Sequence, residues 1–452
     1  MEILVKKYNI PGPRYTSYPT VPFWNETTFS KKEWMNRLKQ NFKLTNSTEG
    51  ISIYIHLPYC ESLCTFCGCH KYITKRHEVE APYINALLKE WEMYLTLFKE
   101  KPLIKELHLG GGTPTFFSSI ELERLLNGIF AKSIKHPDAE LSFEGHPNNT
   151  TCEHLQTLHQ LGFTRVSFGV QDYDETVQKA INRKQSFEKV AEVTDTARKI
   201  GYTSISHDII FGLPFQTVDS IKDTIQKTAL LSPDRISFYS YAHVPWIKGN
   251  GQRGFKDADL PQDAEKRLLY ETGRELFEAF GYYEIGMDHF AKSTDDLYHS
   301  FKNNTLHRNF MGYTPFKTTV MVGLGASSIG DTETAFAQNE KNVSAYLQSI
   351  SEGTLPVVRG HLLTAHDLIL RRTISNIICT FQTPLQLVYP IIPKEILLER
   401  LSEFLKDDLI TIKADELIVT TLGKTFVRNI CMAFDEHLIN KQPKTQLFSM
   451  TI

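Results

Sequence analysis

The feature that most restricts the fold of this chain is a set of four cysteines within ten residues: Cys60, Cys64, Cys67 and Cys69. Disulfides between them would close strained loops of a few residues, whereas their thiolates can converge on one soft metal centre. Zinc sites use two separated ligand pairs, and the chain has no second pair. The C-x₃-C-x₂-C spacing also differs from ferredoxin patterns, which close every iron site. An iron–sulfur cluster with three cysteine ligands and one open iron therefore fits best, and buried structural thiols are the alternative.

The composition predicts a protein with a sizeable core that stays in the reducing cytosol. The chain has 452 residues, 41% of them hydrophobic, which predicts two or three domains. It shows no leader pattern and no run of about 18 apolar residues, so we expect a soluble, cytoplasmic protein that does not enter a membrane. A formal net charge of -2 gives no field that would attract nucleic acid. We expect Cys152, Cys379 and Cys431 to be small core residues.

Apolar, β-branched runs alternate with amphipathic stretches through the first two thirds of the chain. This pattern predicts an α/β fold with a parallel sheet. The predicted strands are 51–57, 106–109, 141–143, 165–170, 204–211, 235–241 and 282–286. The predicted helices are 83–99, 121–130, 153–161, 187–199, 218–231 and 263–280.

The pattern alone does not distinguish a doubly wound sheet from a barrel. Almost every predicted strand runs directly into a polar or Gly/Pro-rich segment, and barrel enzymes place their active sites at that rim. A barrel is therefore favoured. We expect four units: an N-terminal extension over 1–48 that packs on the barrel and substrate site, a barrel over 49–300, a connecting segment over 301–360 that completes the active site, and a C-terminal domain over 361–452.

The C-terminal part of the chain shows a different order of predicted elements. Helices at 365–377 and 394–406 precede a hairpin of 409–413 and 416–420, and a further helix extends to residue 434. This is a winged-helix-like order in a smaller, mostly helical domain. The segment lacks a basic face, so a cover that closes the barrel is favoured over a DNA-binding role.

A triple glycine follows the second predicted strand, in Gly110-Gly111-Gly112-Thr113-Pro114-Thr115. Glycines let bare backbone approach a ligand closely. The segment is neither the dinucleotide fingerprint nor a phosphate loop. Together with the cysteine spacing, it resembles the radical S-adenosylmethionine (SAM) enzymes, in which such a segment holds the methionine amino group of SAM.

Further motifs narrow this resemblance. They extend over essentially the whole chain, and the fourth cysteine, Cys69, is one of them. The others are 11–20 (PGPRYTSYPT), 168–172 (FGVQD), 208–214 (DIIFGLP), 256–261 (KDADLP), 286–291 (GMDHFA), 306–310 (LHRNF) and 428–432 (RNICM). In this combination the chain resembles the oxygen-independent coproporphyrinogen III oxidases.

The resemblance implies a fold, cofactors and site residues. The fold would be a partial (β/α)6 TIM-like barrel that carries a 4Fe-4S cluster, with Cys60, Cys64 and Cys67 as ligands, and two SAM molecules. Catalytic roles are implied for Cys69 and Glu144. The SAM on the open iron would be contacted by Tyr54, Gly111, Glu144 and Ile329. The second SAM would be contacted by Phe66, Gly112, Thr113, Gln171, Arg183, Asp208 and Ala242.

Three of these residues also have a chemical rationale of their own. Glu144 and Asp208 are acidic groups at predicted strand ends, suited to accept from ribose hydroxyls or a cationic amine. Arg183 can meet a carboxylate with a bidentate fork. A residue of this kind, taken alone, is more often part of a surface ion pair. Because all three are predicted at the same rim of the barrel, a role in ligand binding is favoured.

The implied reaction is the anaerobic oxidative decarboxylation of two propionates of coproporphyrinogen III to vinyl groups. A 5′-deoxyadenosyl radical made from SAM would abstract the hydrogen. The partners would be the tetrapyrrole and an electron donor such as flavodoxin or ferredoxin, and the protein would be a monomer. Arg14, Arg308 and Lys256 are candidates to bind the substrate carboxylates.

Two positions depart from the family pattern and leave alternatives open. Met311 stands where well-known members carry glutamine, and His146 stands where they carry aspartate. The competing functions are a heme-degrading radical SAM methyltransferase and a heme chaperone. The chaperone class usually lacks the fourth cysteine and the PGPRYTSYPT segment, and both are present here.

Overall fold

The main sheet has twelve strands, which we number along the chain. The computed structural model describes residues 2–25, 27–246, 251–252, 254–441 and 445–451. The strands are β1 Ile51–Leu57, β2 Leu103–Gly111, β3 Ile134–Gly145, β4 Arg165–Gln171, β5 Ser204–Phe211, β6 Arg235–Ser240, β7 Tyr283–Ile285, β8 His289–Ala291, β9 Val320–Leu324, β10 Ile329–Asp331, β11 Ala335–Asn339 and β12 Val357–Leu362. Their spatial order is β12-β11-β10-β9-β1-β2-β3-β4-β5-β6-β8-β7.

The centre of this sheet is parallel and its two edges are antiparallel. Each of the strands β1 to β5 pairs in parallel with the next, which gives six parallel strands in a row. The predicted α/β class and the six β/α units are thus confirmed. The structure adds β9, which pairs in parallel with β1 on the other side. The sheet therefore extends beyond residue 300 into the segment 301–360, which we expected to connect two domains and complete the active site.

Helices separate the parallel strands, and polar residues fix where several of them begin. The side chains of Ser118, Thr151, Ser186 and Thr217 each accept a backbone N–H at a helix start, which satisfies one otherwise free donor. The helices are Glu2–Tyr8, Lys31–Thr45, Glu80–Phe98, Ser119–Phe130, Cys152–Gln160, Glu175–Ala180, Phe187–Ile200, Val218–Leu231, Asp263–Ala279, Asp296–Lys302, Val343–Ser351, Ala365–Thr380, Lys394–Lys406, Val427–Met432 and Glu436–Lys441. No helix in the described ranges is both long and apolar enough to cross a lipid bilayer.

The C-terminal unit has the predicted helices and hairpin, and the hairpin gains a third strand. Ile410–Lys413 and Glu416–Val419 pair with each other, and Gln382–Pro384 joins the second of them. The first helix of the chain, Glu2–Tyr8, packs on this unit: the ring of Tyr8 stacks on Phe404 with centroids 5.3 Å apart. Glu2–Tyr8 also contacts helix Asp263–Ala279, and Lys31–Thr45 packs on β9, β11 and β12, so the N-terminal segment touches both the C-terminal unit and the barrel.

Gly273 lets helix Asp263–Ala279 approach β6 closely. A Cβ at this position would lie 2.4 Å from Phe238 Cε1. The Phe238 ring cannot easily move, because it is fully buried and contacts the rings of Phe211, Tyr270 and Phe277.

We expect Gly273→Ala to lower the free energy of unfolding by about 1–2 kcal/mol. Alanine favours a helix over glycine by ~1 kcal/mol, but overpacking a core costs about 1–3 kcal/mol. Urea unfolding, followed by circular dichroism, measures the change. Glu275→Ala, at an exposed position of the same helix, is the control and should change stability by less than about 0.5 kcal/mol. A Gly273→Ala protein as stable as the wild type would contradict the close contact.

Candidate active site

The four clustered cysteines lie in the loop that follows β1, and none forms a disulfide. Cys60 Sγ lies 3.2 Å from Thr113 Oγ1, and Arg183 Nη1 lies 3.7 Å from Cys64 Sγ. The loop is fastened at two further points. Thr65 donates its backbone N–H to the carbonyl of Ile181, and Lys71 Nζ donates to the carbonyls of Cys67 and Cys69 at 2.9 and 3.4 Å.

The electrostatic surroundings of these thiols differ. Burial raises the pKa of Cys60 to about 11, and the charges of Cys67 and Cys64 act in the same direction. The pKa of Cys67 is lowered, first by a hydrogen bond from Cys69 and then by Lys71 and Arg183. The pKa of Cys69 is raised beside Cys67, with Glu144 adding to the effect. Cys60 is thus affected by the charges of Cys64 and Cys67, whereas Cys67 and Cys69 interact most strongly with each other.

The ligand atoms of the loop indicate the kind of metal group that fits. Cys60, Cys64 and Cys67 offer three thiols within one loop, and none of them is tied up in a disulfide. Thiolates are the ligands that iron–sulfur clusters require. Lys71 and Arg183 place positive charge beside them, which offsets the negative charge of bound thiolates. The donor set therefore fits a cluster better than a zinc ion.

A cavity of ≈ 460 Å³ lies beside the cysteine loop, at the carboxyl ends of the parallel strands. Most of the site residues that we predicted from the sequence lie in its wall. They are Cys60, Cys64, Phe66, Cys67, Cys69, Gly111, Gly112, Thr113, Glu144, Gln171, Arg183 and Asp208. Residues separated by almost 150 positions in the sequence are thus brought to the rim predicted for a barrel.

The triple glycine packs against the end of β1 as well as facing the cavity. A Cβ on Gly111, where φ is +120°, would lie 2.9 Å from the His56 ring, and a Cβ on Gly112 would lie 2.6 Å from the carbonyl oxygen of Pro58. Backbone N–H groups of this loop donate to β1 and the cysteine loop: Gly112 to the carbonyl of Leu57 and Thr113 to that of Tyr59. We predicted close approach to a ligand, and the close approach seen here is to the neighbouring strand.

Two carboxylates face the cavity from β3 and β5, the strands on either side of β4. Glu144 accepts the N–H of Gly111 at 3.3 Å and lies 3.6 Å from His108 Nε2. Asp208 accepts from Ser167 Oγ at 3.0 Å, and burial followed by the charge of Glu144 raises the Asp208 pKa. Two acids held close together in a cavity suit a cationic ligand, since bound positive charge would relieve their repulsion.

Arg183 is the main cation of the cavity. Its Nη2 donates to the carbonyl oxygen of Gly169 at 2.5 Å, while its Nε is buried without a hydrogen-bond partner among the described residues. Gln171 lies next to it with a positive φ of 70°. An unpaired buried donor is costly, and an anionic ligand group would satisfy it.

Three predicted site residues lie outside the cavity wall. Tyr54 is on β1 beside it: burial, and then the charges of Glu144 and Cys69, raise the Tyr54 pKa. The carbonyl of Ala242 accepts from Gln252 Nε2 at 3.0 Å. Ile329 begins β10 and packs against a separate apolar cluster that includes Trp24 and Phe336.

The two departures from the family pattern have different surroundings. His146 lines the cavity, and burial together with the charge of Arg183 lowers its pKa well below the usual range, so the ring is neutral. Met311 lies at the turn of a hairpin and is not in the cavity wall; its N–H donates to Asn309 Oδ1 at 2.8 Å. His146 therefore bears on ligand binding more directly than Met311 does.

Sequence patterns did not indicate several residues that shape the site. Gln252 Nε2 donates to the carbonyls of both Phe66 and Ala242, at 3.0 Å each, and so joins two predicted contact residues. Its surrounding sequence has no recognisable motif. His56 hydrogen-bonds Tyr54 at 3.2 Å, and Tyr239 contributes to the cavity wall. His56 and Tyr239 stand near the ends of β1 and β6, and this position was the one sequence feature that could have indicated them as site residues.

A second group of possible metal ligands lies far from the cysteines, at His361, Asp367 and His437. The N–H of Asn25 donates to His361 Nδ1 at 3.1 Å, so the proton of this ring is on Nε2, which faces Asp367 at 3.4 Å. His437 Nε2 lies 2.7 Å from the other carboxylate oxygen. These contacts form a hydrogen-bonded network, and the tautomer that they require cannot bind a metal through the same nitrogen.

Comparisons with known proteins agree with this geometry. The Radical SAM superfamily model matches residues 54–228, which include the cysteine loop and the cavity. The oxygen-independent coproporphyrinogen III oxidase of Escherichia coli strain K12 is 37% identical over 456 residues, covering 99% of this chain and 98% of the relative. Its namesake from Helicobacter pylori strain 26695 is 38% identical over 445 residues, covering 96% and 95%.

A solved structure gives the same result at the level of the fold. Coproporphyrinogen III oxidase from Escherichia coli, described as a radical SAM enzyme, superposes with a TM-score of 0.87 at 35% identity, covering 94% of this chain and 98% of that one. The fold and the cysteine site thus define a radical SAM enzyme, whose cofactors are a 4Fe-4S cluster and SAM. Within that class, the chain belongs to the oxygen-independent coproporphyrinogen III oxidases. The match favours this family over the methyltransferase and the chaperone.

We expect the four cysteines to divide into three ligands and one non-ligand. Replacing Cys60, Cys64 or Cys67 singly by alanine should abolish bound iron and its visible absorbance. Cys69→Ala should keep the cluster and lose some or all of its activity. Iron and sulfide analysis after anaerobic reconstitution tests this division, with Cys152→Ala as the control. The core position expected for Cys152 was wrong, because this cysteine is exposed at the start of a helix, whereas Cys379 and Cys431 are buried as expected. Failure of Cys69→Ala to assemble a cluster would contradict this division.

Proposed function

We propose that this chain converts coproporphyrinogen III to protoporphyrinogen IX without oxygen, by oxidative decarboxylation of two propionate side chains to vinyl groups. The observation that carries the proposal is the convergence of the three thiols with Glu144 and Asp208 at one cavity, in a chain that matches the family over nearly its full length. The product belongs to heme biosynthesis.

Residues of this chain would hold the cofactors at the ends of the strands. Cys60, Cys64 and Cys67 would be the cluster ligands. When bound together, the cluster and SAM supply a radical that abstracts hydrogen atoms. The SAM next to the cluster would be contacted by Tyr54, Gly111, Glu144 and Ile329. Of these four, Ile329 has the weakest support, because it packs away from the cavity.

We assign a second SAM to the other side of the same cavity. Its contacts would be Phe66, Gly112, Thr113, Gln171, Arg183, Asp208 and Ala242. The unpaired Nε of Arg183 supports an anionic group here, such as the carboxylate of SAM. Gln252 hydrogen-bonds the carbonyls of both Phe66 and Ala242, which supports the assignment of these two residues to one binding surface.

The cysteine loop also has a surface suited to an electron donor. Lys71 and Lys75 line the mouth of the cavity, and Tyr72 and Ile73 between them are 56% and 42% exposed. A basic surface around apolar side chains attracts an acidic partner and then gives it contact area. Flavodoxin or ferredoxin would dock here, close to the cluster, and a monomer would suffice for activity.

Anaerobic product analysis tests the function. The reconstituted enzyme is incubated with SAM, a reductant and coproporphyrinogen III, and the tetrapyrrole is identified by mass spectrometry. We expect loss of two carbon dioxide molecules and formation of two vinyl groups, and no reaction from Cys60→Ala protein. A methylated, ring-opened tetrapyrrole would identify the methyltransferase alternative, and tight heme binding without turnover would identify the chaperone.

Arg183→Ala tests the second SAM site. We expect the variant to keep its cluster and one bound SAM, because Arg183 lies on the side assigned to the second SAM, and to fail at decarboxylation. Its charge-assisted hydrogen bond is worth about 1.5–3 kcal/mol. Equilibrium dialysis with radiolabelled SAM, with iron analysis of the same samples, measures both quantities. Lys179→Ala, an exposed position nearby, is the control. One SAM per wild-type chain would argue against the second site, as would normal turnover by the variant.

A further inference from the structure

Three arginines from distant parts of the chain surround a single carboxylate, that of Asp288. Arg14 comes from the N-terminal segment, Arg308 from the hairpin after the barrel and Arg428 from a C-terminal helix. Arg14 Nη1 lies 3.8 Å from Asp288 Oδ2. Burial opposes ionisation of Asp288, but the charges of His289, Arg308 and Arg14 hold its pKa well below the usual range. Burial, Arg14 and Arg308 together lower the pKa of Arg428 to about 9.

The hydrogen bonds of this arginine cluster leave most of its positive charge uncompensated. The guanidinium of Arg428 is satisfied by backbone carbonyls, including those of Pro13 at 3.0 Å and Thr451 at 3.1 Å. Arg14 donates to the carbonyl of Ser240 at 2.7 Å. Asp288 accepts from His289 Nδ1 at 2.6 Å. Carbonyls satisfy donors but do not neutralise charge, so the cluster has three guanidinium ions to one carboxylate.

Arg308 has the fewest partners of the three. Its guanidinium lies over the ring of Tyr313, 4.4 Å from the centroid, and its Nε and Nη1 are buried with no hydrogen-bond partner among the described residues. The residue is partly exposed and lines a small cavity of ≈ 30 Å³ together with Tyr18 and Arg371, so an external group can reach the guanidinium from that side. Buried guanidinium N–H groups without acceptors are costly, and a bound carboxylate would satisfy them.

The arginine cluster borders the cysteine cavity through Tyr239. This tyrosine lies in the cavity wall, and its hydroxyl is 3.5 Å from His289 Nε2. Burial raises its pKa, the charges of Asp208 and Asp288 raise it further, and Arg308 opposes them. Tyr239 is therefore close both to the acid of the cavity and to the arginine cluster.

We propose that Arg308, aided by Arg14, binds a propionate carboxylate of the tetrapyrrole and so positions a reacting side chain toward the cavity. This inference rests on the proposed function. The substrate carries several propionates, and those that are not reacting are the anions that the cluster would hold. The planar guanidinium is suited to grip a carboxylate with two hydrogen bonds.

Binding of two porphyrins to the reconstituted enzyme tests the proposal without turnover. Coproporphyrin III, the stable oxidised relative of the substrate, has free carboxylates, and its methyl ester has none. Titration followed by fluorescence gives both affinities. We expect Arg308→Met to bind the free acid about tenfold more weakly than the wild type, or worse, and to bind the ester equally well. Arg372→Met, at an exposed arginine of helix Ala365–Thr380, should bind both like the wild type.

The ester separates a binding role from a structural one. Equal binding of the free acid by wild type and Arg308→Met would overturn the proposal, and so would equal weakening of acid and ester. If Arg308→Met does not retain its cluster, Arg308→Gln replaces it under the same criteria. A wild-type enzyme that binds neither porphyrin and gives no vinyl product would overturn the proposed function itself, whereas normal binding and turnover with an unaffected Arg308 variant would overturn only this inference.

Discussion

The contact between the cysteine loop and the triple glycine is the constraint on which the rest of the site depends. Parallel pairing of β1 with β2 sets Leu57 opposite Gly111, so the two strands end at the same level. The loops that follow are then fastened by backbone hydrogen bonds from Gly112 and Thr113 and by the contact of Thr113 with Cys60. Any side chain at these glycines would push the loops apart. Bare backbone at the end of β2 is thus what allows the thiols to lie beside the cavity.

Charge is arranged around this contact in two separate groups. Glu144 and Asp208 supply negative charge inside the cavity, where a cationic sulfonium cofactor fits, and Arg183 supplies the positive charge for a carboxylate. The arginine cluster around Asp288 lies beyond Tyr239 and has an excess of positive charge. The anionic side chains of a tetrapyrrole would thus be bound by the arginine cluster, while its reacting carbon would face the cofactors in the cysteine cavity. This separation would give the substrate an orientation as well as a location.

Sequence patterns predicted the parts of the fold that are local. Strands β1 and β5 have the predicted bounds, because each is rich in β-branched isoleucine and runs directly into a Pro- or Gly-containing turn. The strands β9 to β12 were not predicted. They are short, and β9 includes a glycine and pairs with β1, more than 260 residues earlier in the sequence. Pairing over such a distance is decided by tertiary packing, which single-sequence periodicity does not report.

The candidate site shows the same division between local and distant information. The cysteine spacing, the glycine run and the acids at strand ends could be read directly, because each chemical group stands in a short motif. Gln252 could not, since its role depends on the carbonyls of Phe66 and Ala242 that only the fold brings together. From its motif alone, Arg308 was a candidate to bind a substrate carboxylate. The physical reason for that role is that its Nε and Nη1 are buried without hydrogen-bond partners among the described residues.

Mössbauer spectroscopy of enzyme reconstituted anaerobically with isotopically enriched iron tests the central claim most directly. Three cysteine ligands leave one iron of the cluster open, and that iron should bind SAM. The account predicts that adding SAM changes the signal of one iron site and leaves the others unchanged, in the wild type and in Cys69→Ala alike. A cluster whose iron sites are all unaffected by SAM would show that a fourth protein ligand closes it, and would contradict the account.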